Sequence, residues 1–136
     1  GKLLVLEVTV PPGGGPPVLH RHEYSEIFFF QEGEFEVSTV DENYAPSTVR
    51  VVAGDTVAIP SMVWHNSKNV GEAPGKFTAV HSPAVMEDFM REIGQQIDDP
   101  RDPPASGGPP PDAEVQRMMG IISKYMDMLP PDKVGR

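Results

Sequence analysis

Cysteine is absent from the 136 residues. That absence excludes disulfide frameworks, zinc ribbons, iron–sulfur clusters and thiol nucleophiles together. Any metal must therefore be held by nitrogen and oxygen. Positive charge is scarce: eleven Lys and Arg stand against twenty Asp and Glu, a formal charge of −9. Nucleic acid and anionic membrane surfaces call for clustered Lys and Arg, so neither partner is expected. No apolar run approaches the roughly 18 residues of a membrane span. There is no cationic-then-apolar leader either. The chain opens on Gly1 and not on Met, which leaves open whether a leader preceded it. A thiol-free chain fits a cytoplasmic setting.

What is present divides near residue 83. Upstream, short apolar or alternating runs (Leu3–Val10, Ile27–Phe30, Phe35–Val40, Val49–Val52, Thr56–Ile59, Lys76–Val80) alternate with breaks rich in Gly, Pro, Asn and Asp. Many short strands with regular turn signals predict an all-β sandwich or barrel over residues 1–83. Downstream, residues 84–136 read as a helical extension packed on it. Val85, Phe89, Met90 and Ile93 share one face of a helix over about 84–97. A Pro-rich crossing spans 98–111, and a second helix runs over about 112–128, with Asp112 as its N-cap.

The histidines carry the chemistry. In an extended strand, residues i and i+2 face the same side, so His20 and His22 present two imidazoles about 6–7 Å apart at the backbone. Two such rings can converge on one ion at about 2.1 Å. Glu26 has the same parity but lies roughly 13 Å along a straight strand. It reaches the same ion only if the chain turns a corner at Glu23–Ser25. His65 follows a second strand and a turn set by Pro60, and a folded sheet is needed to bring it beside residues 20–26. Three imidazoles and one carboxylate suit Fe(II), Mn, Co, Ni, Cu or Zn. Taken singly, each of these residues is more often an ordinary surface or loop side chain; the spacing around them changes that reading.

Gly14, five residues, His20, one, His22, three, Glu26, six, Gly33 is the first block; Gly54, five residues, Pro60, four, His65, three, Asn69 is the second. The two blocks resemble the paired signature motifs of the cupin superfamily. The resemblance implies a small jelly-roll β-barrel in which His20, His22, Glu26 and His65 bind one divalent transition metal. The first block matches at every defined position. The second has Met62 where the family has glycine, which puts the shape of that turn in question and not the ligand. The sequence does not name the metal.

Parity places Glu26, Phe28 and Phe30 on one face of their strand and Ile27 and Phe29 on the other. Tyr24 sits in the corner, Met62 and Trp64 flank His65, and Phe77, Ala79 and His81 alternate along the last strand. Tyr24, Phe28, Phe30, Met62, Trp64, Phe77 and His81 are the expected pocket residues. Arg21 is the cation nearest the ligands, and its parity turns it away. The pocket is thus aromatic, suiting a flat organic molecule better than a phosphate or sugar. Within the superfamily the chain is similar to bacterial quercetin 2,3-dioxygenase-like cupins. That similarity implies a dioxygenase-type oxidoreductase acting with O2 on a flat aromatic or enolic small molecule, with Glu26 as ligand and base. Two alternatives stand beside it: a redox-neutral isomerase, cyclase or lyase, and a non-catalytic small-molecule-binding cupin. The resemblance also implies a homodimer, for which outward Ile27 and Phe29 supply apolar surface.

Overall fold

The computed structural model describes residues 1–104 and 110–135. Its strands are β1 (Leu4–Val10), β2 (His20–Arg21), β3 (Ser25–Glu32), β4 (Glu34–Val40), β5 (Pro46–Val52), β6 (Thr56–Ile59), β7 (Trp64–Asn69), β8 (Gly75–Ser82) and β9 (Asp127–Met128). Two helices, α1 (Met86–Ile93) and α2 (Asp112–Tyr125), lie between β8 and β9. The strands pair antiparallel in two sheets, ordered β1-β8-β3-β6 and β5-β4-β7-β2-β9. No helix among the described residues is long and apolar enough to cross a membrane.

The expected closed barrel is corrected here. Among the described residues no ladder joins the edges of the two sheets. The reason lies at the β2–β3 corner: β2 holds only two residues, and after the break at 22–24 the chain enters the opposite sheet as β3. The sheets instead close on a core of Phe28, Phe30, Ile59, Phe77 and Ala79 from one and Phe35, Val37 and Val51 from the other. Phe35 meets Phe30 at 5.1 Å and Phe77 at 5.7 Å between ring centroids. Truncating one such ring to alanine removes about 3–5 kcal/mol.

Register fixes which residues of β8 face inward. Glu26, Phe28 and Phe30 of β3 pair with His81, Ala79 and Phe77 of β8. Directly opposed residues share a face, so burying one set buries the other. Ile27 and Phe29 point outward and are exposed. Asn69, at the end of the second motif, is wholly buried and fully used. Its Nδ2 donates to Val10 O and Ala73 O at 3.0 and 2.9 Å, and its Oδ1 accepts from Gly71 N at 2.9 Å. Gly33 turns β3 into β4 at φ +86°, where a Cβ would meet Gly75 Cα at 2.8 Å.

Beyond β8 the boundaries differ from the sequence reading. α1 is shorter than 84–97, stopping at Ile93 before Gly94. α2 stops at Tyr125, and the two residues after Met126 become strand β9. Asp112 is the first helical residue and not the cap, which is Pro111. A carboxylate there still favours the positive end of the helix. The helices pack through Phe89 on Tyr125 at 5.5 Å and through Lys124 and Tyr125 on Glu92. The Pro-rich crossing expected over 98–111 lies partly outside the described residues.

Met62, the departure from the glycine pattern, adopts φ +62°. Its N–H donates to His22 O at 2.8 Å, tying the β6–β7 turn to the β2–β3 corner. The turn therefore keeps the left-handed shape, and a methionine bears it at about 1–2 kcal/mol. Glycine would remove that strain at a backbone-entropy cost of about 0.5–1 kcal/mol. Met62 is 41% exposed, so little burial is lost. Met62→Gly is therefore expected to stabilise the protein by about 0.5–1 kcal/mol in urea unfolding. A lower midpoint would show that the side chain does more than occupy the turn.

Candidate metal centre

Four strands and one corner bring the site together. β2 supplies His20, the corner supplies His22 and Tyr24, β3 supplies Glu26, β7 supplies His65 and β8 supplies His81. His20 and His65 are direct cross-strand partners. Glu26 and His81 are partners in the other sheet. The site thus lies between the two sheets, at the end where β2 passes into β3. All six of these side chains are buried.

The backbone sets the tautomer of three of the four imidazoles. His20 Nδ1 lies 3.1 Å from Val18 O, His22 Nδ1 2.8 Å from Tyr24 O and His65 Nδ1 2.8 Å from Val63 O. A carbonyl oxygen only accepts, so each Nδ1 carries the proton and each Nε2 keeps its lone pair. Ligand nitrogens of His20, His22 and His65 lie within 4.8 Å of one another. Glu26 Oε1 lies 2.7 Å from His22 Nε2 and 2.9 Å from His65 Nε2. His22 Nε2 nevertheless makes no aligned hydrogen bond.

Lone pairs facing a carboxylate at such distances repel unless positive charge lies between them. A divalent ion supplies it to all four groups at once. Two donors bound at right angles to one ion at about 2.1 Å sit about 3.0 Å apart, close to the Glu26 contacts. The donor set, the orphaned Nε2 and the backbone-fixed tautomers therefore fit a borderline divalent ion.

Electrostatics follow the same arrangement. Burial acts to raise the Glu26 carboxyl, but His22, His65 and His81 around it hold it far below the usual carboxylate range. Burial, and then the nearby His65, lowers His20 from 6.5 to about 4. Burial, and then the Glu26 charge, pushes the Tyr24 phenol well above its usual value. Tyr24 stacks on His22 with centroids 3.6 Å apart, and its hydroxyl donates to Met86 Sδ at 3.1 Å. His81 Nε2 lies 2.9 Å from Glu26 Oε2, the carboxylate oxygen turned away from the other imidazoles.

A cavity of about 270 Å³ opens onto this cluster. His20, Tyr24, Glu26, Phe28, His65, Phe77 and His81 border it. Three expected pocket residues stand elsewhere. Phe30 is one step deeper on β3, packed into the core at 5.1 Å from Phe35. Trp64 has the opposite parity to His65 and lies on the far face of β7, under the Arg21 guanidinium at 4.3 Å. Met62 points outward from its turn. The sequence reading missed Leu6 and Val8 of β1 and Met86 and Met90 of α1, which line the cavity. The β1 alternation was a usable signal. The Met86–Met90 pair had none, because nothing in the sequence says which way α1 folds back. No Lys or Arg borders the cavity among the described residues.

Comparison with known proteins gives a consistent picture. Residues 6–81, more than half of the chain, match the family described as Cupin domain. No curated protein matches the sequence at a significant level. Among solved structures, an RmlC-like cupin from Shewanella frigidimarina is 27% identical with a TM-score of 0.53, over 65% of this chain and 71% of that one. An oxalate oxidase is 25% identical with a TM-score of 0.54, over 60% of this chain and 42% of that one. An oxalate decarboxylase from Lactobacillus farciminis is 28% identical with a TM-score of 0.54, over 60% of this chain and 24% of that one. The chain thus spans less than half of the oxalate oxidase and about a quarter of the decarboxylase.

The His20 shift has a signed consequence for the metal-free protein. Between about pH 6.5 and 4 the unfolded chain takes up a proton at His20 that the native state refuses. Stability is therefore full above about 6.5 and falls as the pH drops through that window. The expected loss from His20 is about 3 kcal/mol. Urea unfolding of the metal-free protein at pH 7 and pH 4 measures it. His20→Gln should flatten the slope, and an unchanged slope would exonerate His20.

Proposed function

The chain belongs to the cupin family, and we propose that it is a metal-dependent oxidoreductase of the dioxygenase type, acting on a small, flat, aromatic or enolic molecule as quercetinase-like cupins do. His20, His22, Glu26 and His65 hold one divalent transition metal. The observation that carries the substrate reading is the apolar cavity without a cation that opens onto a His–Glu cluster. Apart from the ion, the described border carries no Lys or Arg for a second carboxylate, and its wall is Phe28, Phe77, Ala79, Leu6 and Val8. Those side chains suit an apolar ring or enol.

The residues divide the work. An ion held by these four side chains would supply Lewis acidity toward the substrate and, where redox-active, an electron path to O2. Phe28 and Phe77 meet edge-to-face at 5.1 Å and form a rigid apolar wall. Tyr24, Thr9 and Ser67 are the hydroxyl groups on the cavity border. Glu26 stays ionised while the imidazoles face it, so it enters the reaction as a carboxylate. It gains basicity when substrate draws it out of that contact. The proton of the enol then goes to Glu26, with His81 2.9 Å from Oε2.

The outer face of the four-stranded sheet fits a homodimer. Val5, Val80, Ile27 and Ala58 make one row across its strands, with Phe29 beside it. Leu3, Val5, Ile27 and Phe29 are all exposed.

Two measurements test these readings. Glu26→Gln is expected to keep a weakened metal and to lose turnover by about 10²–10⁴-fold, followed by O2 uptake with flavonols, diketones and related enediols. Turnover equal to wild type would remove the base role, and turnover without O2 uptake would select redox-neutral chemistry. Phe29→Glu is expected to shift sedimentation from dimer to monomer; a wild-type monomer would end the dimer reading.

A further inference from the structure

We infer that the carboxy-terminal strand β9 is a positioning element of the metal centre, holding β2 at the place from which His20 faces the other ligands. The inference rests on the metal reading proposed above and concerns residues outside both motifs. β2 has only two residues. Its ladder with β7 holds a single pair, His20 with His65. Its ladder with β9 holds two, His20 with Met128 and Arg21 with Asp127. Leu129 N extends the contact to Leu19 O at 2.8 Å, and the Leu129 side chain is buried. Arg21 Nε donates to Asp127 Oδ2 at 2.9 Å while its guanidinium covers Trp64, the neighbour of His65.

The other ligands do not depend on β9. His65 sits in β7, which pairs with β4 over six residues. His22 is stacked under Tyr24, and its carbonyl accepts from Met62 N. His20 has the longest tie to a backbone carbonyl of the three imidazoles and is the most exposed, at 8% against 3% for His22 and His65. Upstream of it, Pro16 and Pro17 have no N–H to give to a ladder. Releasing β9 therefore frees His20 selectively and leaves a ligand set of His22, Glu26 and His65.

Co(II) titration, read by affinity and by visible absorption, tests this. Leu129→Pro removes the donor to Leu19 O, and Asp127→Arg sets like charge beside Arg21 at an exposed position. Leu129→Pro should bind Co(II) at least about tenfold more weakly than wild type, with the absorption spectrum of His20→Ala. Asp127→Arg should fold and bind about two- to fivefold more weakly. Val51→Ala, a core truncation in β5, should lower the melting temperature and leave affinity and spectrum alone. Wild-type affinity and spectrum in both tail variants, or equal weakening in Val51→Ala, would overturn the inference. Failure of the wild type to take up Co(II) would instead overturn the metal reading and this inference with it.

Discussion

Burying an ionised carboxylate away from water costs several kcal/mol unless other groups compensate for it. Glu26 is 6% exposed and three imidazoles lie within 2.9 Å of it. Those imidazoles come from the β2–β3 corner, from β7 and from β8. Both sheets must therefore be in register before the charge is compensated. Local pairing alone cannot do it, since the corner and β7 lie 43 positions apart between His22 and His65. The site and the sandwich are in that sense one cooperative object. The same strand that aims Glu26 buries Phe28 and Phe30 two and four residues on, so the hydrophobic core fixes the phase of the carboxylate.

Much of this was legible in the sequence because it repeats every two residues. The alternation of 26, 28 and 30 gave the inward face of β3, and the need for a corner between His22 and Glu26 followed from strand length alone. The histidine spacing gave a donor set whose convergence depends on ordinary antiparallel pairing. What the sequence withheld depends on relations between elements. The inward set on β8 needed the Glu26–His81 register. Trp64, next to His65 in the chain, faces the other way because one step along a strand reverses direction, and Met62, three residues before His65, sits exposed in the turn. Closure of the barrel depended on how many residues β2 pairs, which no composition reveals.

The helical extension shows the same divide. Its apolar spacing announces helices, but not that Met86 accepts from Tyr24, nor that Met90 borders the cavity. Through Tyr24, stacked on His22, α1 is in contact with a ring that faces Glu26. The extension thus touches the centre on two sides, at His22 through α1 and at His20 through β9. Methionine suits such a border, since its unbranched, polarisable side chain fills irregular gaps.

β9 has a bearing on solubility as well. Without it, β2 would end its sheet as an open edge, with unpaired backbone groups facing solvent beside the half-buried Trp64–Arg21 pair. Open edges template pairing between chains. A cap two residues long, extended by Leu129 N to Leu19 O and then stopped by the prolines Pro130 and Pro131, satisfies that edge and is too short to offer a new one. Prolines after the cap carry no N–H with which a neighbouring molecule's strand could continue the ladder. β9 and the prolines after it act as a terminator for this edge of the sheet, guarding it against pairing with other copies.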